Sequence, residues 1–246
     1  MFGSTTQNDS IRLWLFNFAF LLFSYPSITY SYRSHIHLSR QSIDSCLTSL
    51  NVTYPGDSSF HSLSQTFNSR LSYTPAAIIL PSSVQDVERL VTCGARLKLP
   101  VVSRSGGHSY AGYGLGGVDG ALVADLSSLK QIILIGDNVV IQTGNTLGEV
   151  ATYLWDHDRR ALPHGTCPKV GTGGHTSYGG YGPYSRMAGL LVDRVVSADV
   201  VLANGTSVTA SEVSHPDLFW ALKGAAPSYG IVTSWTYSTL TAPTIT

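Results

Sequence analysis

Glycine is concentrated in the middle of this chain, and this clustering constrains the fold more than any other feature of the sequence. The 246 residues include 24 glycines, and 17 of them lie between Gly106 and Gly182. Glycine reaches positive φ angles and lets the backbone approach other groups closely. Successive glycine and serine amides can also form a concave site for an anionic group. We therefore expect two glycine-rich loops that bind a ligand, at 103–120 and 161–184.

Composition excludes several classes of function. Lys and Arg number 15, Asp and Glu number 15, and only 12% of the residues are charged, against roughly 25% in a typical soluble domain. A chain without net charge lacks the basic surface that nucleic-acid phosphates require, so we expect no nucleic-acid partner. With 43% hydrophobic residues the chain also differs from a disordered protein, and it is long enough to bury a core.

The N-terminus predicts export from the cell. An apolar run follows Arg12 at 13–23, and it is much shorter than the roughly 20 residues that span a bilayer. We interpret residues 1–30 as a signal peptide and expect a secreted protein without a membrane anchor. An uncleaved anchor or a buried helix is the alternative. Two matches to the N-glycosylation acceptor pattern, at 51–53 and 204–206, agree with export.

Three cysteines leave one thiol to explain in a secreted chain. Cys46 and Cys93 could form a disulfide, which would leave Cys167, in the second glycine-rich loop, as a reactive or an inert thiol. The histidines His35 and His37 are the only close pair, and no second pair with zinc-ligand spacing accompanies them. We therefore expect no metal site.

Hydrophobic periodicity predicts an α+β fold. Strands are expected at 77–80, 101–102, 121–125, 132–135, 139–143, 194–203 and 230–240, and helices at 84–95, 146–157 and 215–224. Ser82 and Gln85 have the spacing of a helix capping box. Asn204-Gly205 is typical of a type I′ hairpin turn, after which the chain returns through Ala210. The order of these elements lacks the regular alternation of a doubly wound sheet.

Two motifs match other classes of enzyme in the wrong structural context. Residues 112–117 satisfy G-x-G-x-x-G, but a β-type run follows them instead of the helix that a dinucleotide fingerprint requires. Residues 107–111 nearly match the nucleophile elbow of a serine hydrolase around Ser109, and again no helix follows. We therefore favour neither a Rossmann domain nor a serine hydrolase.

The two glycine-rich loops taken together favour a different ligand. Residues 104–109 read RSGGHS after a predicted strand, and residues 170–175 repeat this chemistry as VGTGGH. Arg104 could add positive charge to the first loop. Two such loops on one domain suit a long ligand that has a pyrophosphate and a flat ring. The alternative is a pair of glycine turns without a ligand, in which His108 is a hydrogen-bonded loop histidine.

Resemblance to a known family decides between these alternatives. The chain resembles the FAD-binding half of the vanillyl-alcohol-oxidase superfamily in RSGGHSYAGYG at 104–114, CPKVGTGGHTSYGGYGPYSRMAGLLVDRV at 167–195 and HPDLFWALKGAAPSYGIVTSWTY at 215–237. Within that superfamily it is similar to the berberine-bridge-enzyme-like branch, which includes fungal oligosaccharide oxidases. The resemblance covers 45–246 and implies a PCMH-type α+β FAD-binding domain built from two small α/β subdomains.

The resemblance also implies a division of the chain. We expect an N-terminal extension at 31–70, the FAD-binding domain at 71–243, and the start of a substrate domain at 244–246. The family carries its catalytic base beyond that point, so we assign no catalytic residue and expect this chain to bind FAD but to oxidise substrate poorly alone. The family's N-terminal disulfide matches Cys46 with Cys93.

Residue by residue, the resemblance implies that FAD lies on both loops. His108 matches the histidine that is joined to the flavin 8α-methyl group, and Cys167 matches the cysteine that is joined to flavin C6, which implies a bicovalent FAD. The other matched positions are the pyrophosphate loop (Arg104, Ser105, Gly106, Gly107, Ser109), the stretch along the flavin and its ribityl chain (Val170, Gly171, Thr172, Gly173, Gly174, Tyr178, Gly179, Tyr181) and the strand that closes over the cofactor (Gly230, Ile231).

The implied reaction is the oxidation of an alcohol. In the family, a hydride passes from an alcohol carbon of a carbohydrate to FAD, and dioxygen reoxidises the flavin and gives hydrogen peroxide. The implied partners are therefore a small-molecule substrate and dioxygen. Two alternatives stay open, an FAD-linked oxidase of a specialised metabolite such as an alkaloid or polyketide, and a non-catalytic flavin-binding module.

Overall fold

A computed structural model describes residues 40–243 of the chain. The expected signal peptide, the pair of His35 and His37, and residues 244–246 lie outside the described residues. Within the described range a mostly parallel sheet and an antiparallel sheet each carry packed helices. This combination is the α+β architecture that the sequence predicts.

The helices and strands of the fold are short. In chain order the helices are α1 (Arg40–Cys46), α2 (Phe60–Leu63), α3 (Val84–Leu97), α4 (Leu147–Asp158), α5 (Thr172–Ser177), α6 (Ser185–Ala188) and α7 (Pro216–Ala225). The strands are β1 (Val52–Thr53), β2 (Ala77–Ile79), β3 (Val101–Arg104), β4 (Leu122–Asp125), β5 (Ile132–Ile135), β6 (Asn138–Gln142), β7 (Arg160–Ala161), β8 (Val195–Leu202), β9 (Ser207–Ser211), β10 (Gly230–Ser238) and β11 (Leu240–Thr241).

The first sheet is mostly parallel and has the strand order β1-β2-β4-β3. Strands β2 and β3 both run parallel to β4, while β1 is antiparallel to β2. Every residue of β2 and β4 is buried, as in a sheet that is covered on both faces. The extension predicted at 31–70 supplies β1 to this sheet and α1 to the core beneath it.

The second sheet is antiparallel throughout and has the strand order β5-β6-β10-β8-β9. Its longest strand, β10, carries Trp235 and Tyr237, which are fully buried. Helices α4 and α7 cover this core with Leu154, Phe219 and Leu222 among other apolar side chains. The hydroxyl of Tyr237 also lies 2.7 Å from that of Thr176, so this sheet contacts the second glycine-rich segment.

Helix α3 connects the two parts of the fold. A disulfide joins Cys93 on α3 to Cys46 at the end of α1, which confirms the expected pairing. Val201 and Ile231 of the second sheet pack in the same core as α3. Both sheets therefore pack against α3, which fixes the positions of the loops that extend from them.

The capping box of α3 lies one residue later than predicted. The N-cap is Ser83, whose hydroxyl oxygen accepts a hydrogen bond from the backbone N–H of Asp86 at 3.2 Å. The carboxylate of Asp86 accepts bonds from the backbone N–H groups of Ser82 and Ser83. The pairing of Ser82 with Gln85 was wrong because two serines precede this helix and an aspartate takes the place of the expected glutamine.

The hairpin between β8 and β9 forms as expected, but its turn type was wrong. A type I′ turn needs positive φ at both central residues, whereas Gly205 has a φ of +82° and Asn204 is not among the residues with positive φ. The N–H of Gly205 donates to the carbonyl of Leu202 at 2.8 Å, and the N–H of Leu202 donates to the carbonyl of Thr206 at 2.9 Å. This pattern is a three-residue loop that ends in a glycine bulge.

Two further expectations need correction. The segment at 161–184 is not a continuous loop, because α5 forms within it and the next short helix, α6, begins at its end. The final strand predicted at 230–240 is divided, since β10 ends at Ser238 and β11 pairs with β7 instead. The structure also places no helix within 40–243 that is long and apolar enough to cross a membrane.

Candidate functional site

The two glycine-rich segments meet where Gly106 faces Gly171. A Cβ atom on Gly106 would lie 2.2 Å from the backbone nitrogen of Gly171, and one on Gly171 would lie 2.1 Å from that of Gly106. Ser105 fixes the contact, since its hydroxyl donates to the carbonyl of Thr143 at 2.5 Å and accepts from the N–H of Gly173 at 3.3 Å. The sequence predicts that both loops serve one ligand, and the structure brings them into direct contact.

The second segment is anchored at Thr172, the first residue of α5. Its backbone N–H and its hydroxyl both donate to the carbonyl of Asn145, at 2.9 and 3.0 Å. Thr172 is buried, whereas the neighbouring Gly174 is exposed and has no atom within 4 Å of where its Cβ would be. The segment therefore has one side fixed on the second sheet and one side open to a ligand.

Arg104 points back into the protein. Its guanidinium donates to the carbonyl of Leu63 and forms an ion pair with Asp125 at 3.8 Å. Both side chains are largely buried, and the guanidinium lies under Gly107, which has a φ of +69°. The positive charge of Arg104 is therefore compensated within the protein. We expect the backbone amides of this loop, and not the guanidinium, to bind an anionic group.

His108 and Ser109 follow on the same loop and differ in their contacts. The ring of His108 is half-buried and stacks on the ring of Phe67, with 4.4 Å between the ring centroids. No hydrogen bond to either ring nitrogen of His108 is formed by any group within 40–243. The hydroxyl of Ser109 accepts from the N–H of Tyr113 at 3.2 Å, so this serine shapes the turn.

Cys167 is an exposed free thiol at the edge of a cavity. The cavity has a volume of about 410 Å³ and is lined by Leu147, Gly165, Thr166, Cys167, Val170, His175, Tyr181, Gly182 and Pro183. Of the predicted site residues, Val170 and Tyr181 therefore lie around the same space as Cys167, whereas His108 does not line it. The thiolate is the nucleophilic form of such a side chain.

His175 is a residue of this cavity to which the sequence analysis gave no role. Its Nε2 accepts a hydrogen bond from the N–H of Gly165 at 3.0 Å, which places the ring proton on Nδ1. Burial lowers the pKa of His175, and the nearby ring of His164 lowers it further. His175 closes the VGTGGH motif as His108 closes the core of RSGGHS, and that parallel is the signal that could have identified it.

The remaining predicted residues lie at the margin of these loops. Tyr178 and Tyr181 are exposed, and Gly179 has a φ of +99° between them. Gly230 begins β10 and pairs with Leu202, while Ile231 is buried in the core around α3. No hydrogen bond within the described residues connects Gly230 or Ile231 to the glycine-rich segments.

A family described as an FAD binding domain matches residues 75–211, which are more than half of the chain. The chain belongs to this PCMH-type FAD-binding family. The matched range includes every predicted site residue except Gly230 and Ile231. It also begins just before β2 and ends with β9, so it includes strands of both sheets but neither β1 nor β10.

The relatives of this chain include both oligosaccharide oxidases and berberine-bridge-enzyme-like proteins. The chain is 46% identical over 211 residues to a xylooligosaccharide oxidase of Thermothelomyces thermophilus, covering 84% of this chain and 42% of the oxidase. It is 38% identical over 183 residues to berberine bridge enzyme-like 12 of Arabidopsis thaliana, covering 72% of this chain and 34% of that protein. The chain thus spans less than half the length of these curated relatives.

One solved structure bears directly on the two candidate attachment residues. A glucooligosaccharide oxidase from Acremonium strictum, described with a 6-S-cysteinyl, 8α-N1-histidyl FAD, matches with a TM-score of 0.80 and 38% identity. The match covers 82% of this chain and 43% of that oxidase. A domain of this family thus carries FAD through one histidine and one cysteine.

Proposed function

We propose that this chain is the FAD-binding part of a secreted oxidase and that His108 and Cys167 both bond covalently to the flavin. The main support is one feature of the structure. Two glycine-rich segments touch at Gly106 and Gly171, and each presents one nucleophilic side chain whose reactive atom is free to bond a ligand. The bicovalent FAD of the Acremonium strictum oxidase supports this assignment.

The residues present suit FAD as a ligand. Backbone amides from 106–109 and the amide of Gly174 would hold the pyrophosphate and the ribityl chain, because these positions carry few side chains and the site is open at Gly174. His108 and Cys167 would fix the flavin ring at two positions. When bound, FAD would accept a hydride from an alcohol carbon and pass two electrons to dioxygen, which gives hydrogen peroxide.

Within this arrangement, different residues would support the site in different ways. Ser105 and Thr172 would hold the two segments in register through the carbonyls of Thr143 and Asn145. His175 would keep an uncharged ring beside Cys167, since burial and His164 lower its pKa. We assign the catalytic base to none of the residues at 40–243.

The proposed substrate is an oligosaccharide, as the name of the xylooligosaccharide oxidase suggests. Secretion is supported by a disulfide between Cys46 and Cys93, which is typical of proteins from an oxidising compartment. The acceptor residues of both glycosylation patterns, Asn51 and Asn204, are exposed. These features agree with a glycosylated, exported protein.

Anaerobic bleaching of the flavin tests the proposed reaction. The chain is purified from a secretory host and incubated for hours without dioxygen with xylobiose, cellobiose or chitobiose, and flavin absorbance is followed. We expect slow bleaching by at least one sugar, then recovery of the yellow colour and peroxide formation on readmission of air. Bleaching by non-carbohydrate alcohols alone would favour a specialised-metabolite oxidase. Stable colour with every compound would favour a non-catalytic flavin-binding module.

A further inference from the structure

We propose that Phe67 is a positioning residue that aligns the imidazole of His108 for its bond to the flavin. The inference rests on the proposed attachment of FAD at His108 and concerns what prepares that side chain. Phe67 lies outside the glycine-rich segments and outside the family match at 75–211. It is 41 residues away from His108 in the sequence, so only the fold brings the two rings together.

The stack on Phe67 is the contact that orients the ring of His108. The two ring centroids lie 4.4 Å apart, and the ring planes differ by 26°. Because no group within 40–243 hydrogen bonds to its ring nitrogens, the imidazole has no polar contact there that would fix its side-chain torsions. Stacking covers one face of the ring and leaves the nitrogens at its edge accessible.

Phe67 is itself held in place by the residues beside it. The hydroxyl of Thr66 lies 2.8 Å from the carbonyl of Asn68 and 2.7 Å from that of Leu71, so the turn at 66–71 is closed on itself. The side-chain amide of Asn68 donates to the carbonyl of Tyr110 at 3.0 Å, two residues after His108. The ring of Tyr110 also contacts Phe67 edge-on, with centroids 5.5 Å apart.

The whole segment at 63–74 is fixed to the first glycine-rich loop at both ends. At one end, the carbonyl of Leu63 accepts the hydrogen bond from Arg104. At the other end, the N–H of Thr74 donates to the carboxylate of Asp119 at 2.7 Å, and its carbonyl accepts from the N–H of Gly120 at 2.9 Å. A segment without regular structure is thus held where its aromatic side chain meets His108.

Alignment matters because attachment forms a bond at a defined ring nitrogen. A C–N bond replaces one imidazole N–H and one C–H of the flavin 8α-methyl group. The two protons and two electrons released go to dioxygen, which becomes hydrogen peroxide, so the attached flavin ends oxidised. A misplacement of about 1 Å can slow such a step by about 100-fold, so an aromatic stack that fixes the ring should accelerate it.

The test measures flavin attachment through His108 alone. The Cys167→Ala chain is prepared without flavin and mixed with FAD in air, and the fraction that carries FAD after acid denaturation is followed by intact mass. We expect Phe67→Ala to slow attachment by about 10-fold to 100-fold and Phe67→Tyr to restore most of the rate. Tyr113→Ala is the matched control, because Tyr113 is an exposed aromatic residue of the same loop without a ring contact to His108.

Two further measurements separate positioning from a general effect on the fold. In a His108→Ala chain, which would attach FAD through Cys167 only, Phe67→Ala should leave the rate unchanged. In the flavin-free protein, the ring protons of His108 should move downfield in the NMR spectrum of Phe67→Ala, because the ring current of Phe67 is lost.

The outcomes distinguish this inference from the proposed function. Attachment through His108 at the parental rate in Phe67→Ala would overturn the inference alone, and so would an equal loss of attachment at His108 and Cys167. A parental chain that binds no FAD covalently at His108 would overturn the proposed function and this inference with it.

Discussion

The two glycine-rich segments can pack against each other only because Gly106 and Gly171 have no side chains. Each glycine faces the backbone of the other at a distance that no Cβ atom tolerates. Neither residue has a positive φ. Glycine is therefore required at both positions by the close approach of the two backbones and not by backbone conformation. The glycine clustering of the sequence is explained at these two positions by packing between two segments.

The close approach predicts the effect of a single methyl group. Gly106→Ala should lower the free energy of unfolding by about 1–3 kcal/mol or more, because the facing atoms are backbone and cannot move aside. Urea denaturation of the flavin-free chain measures this change. Gly224→Ala is the control, since nothing lies within 4 Å of its Cβ position in α7, and it should be neutral or stabilising. Equal stabilities of the two variants would contradict the contact.

At the scale of elements, α3 has clear start and stop signals. Its capping box involves Ser83 and Asp86, and Lys98 ends it with a left-handed conformation. The side chain of Arg89 also donates to the Asp86 carboxylate. A helix fixed at both ends, and joined to α1 by the disulfide, gives the loop after β3 a stable starting point.

The cap of α3 predicts a specific dependence on pH. Burial raises the pKa of Asp86, but the hydrogen bonds from Ser82, Arg89 and Ser83 outweigh it and lower the pKa to about 2 from 3.8. Because the folded pKa is below the unfolded value, this stability is present above about pH 4 and is lost as the pH falls towards 2. Asp86→Ala should therefore destabilise the chain by about 2 kcal/mol at pH 7.

Urea denaturation across a series of pH values checks this prediction. The difference in unfolding free energy between the parental chain and Asp86→Ala should shrink as the pH is lowered from 4 to 2. Glu212→Ala serves as a control because this residue is exposed and lies outside the cap of α3. A difference that stays constant over this range would contradict the role of the carboxylate.

Sequence patterns predicted the elements with a local hydrophobic pattern better than those without one. Strand β5, a continuous apolar run, has the predicted bounds, and α3, which has helical hydrophobic spacing, begins at the predicted residue. Helix α5 was missed since Thr172, Gly173 and Gly174 are poor helix formers, and its position depends on hydrogen bonds to Asn145, which is distant in the sequence. Helix and strand boundaries that depend on contacts between residues distant in the sequence cannot be predicted from the local sequence.

At the scale of the whole molecule, two sheets of different type hold segments that are 65 residues apart in the sequence. The motifs around His108 and Cys167 could be identified from the sequence because they are continuous. The contribution of Phe67 could not, because its contact with His108 depends on a segment without regular structure. Likewise, the inward orientation of Arg104 depends on Asp125 and Leu63, and no pattern in the sequence indicates that pairing.

Intact mass under denaturing acid conditions tests whether one FAD is bonded to both His108 and Cys167. The parental chain, His108→Ala, Cys167→Ala and the double variant are compared after expression in a secretory host. We predict that the parental chain and both single variants retain the mass of one FAD, and that only the double variant releases it. An unmodified mass for a folded parental chain, or a double variant that keeps its flavin, would contradict attachment through these two residues.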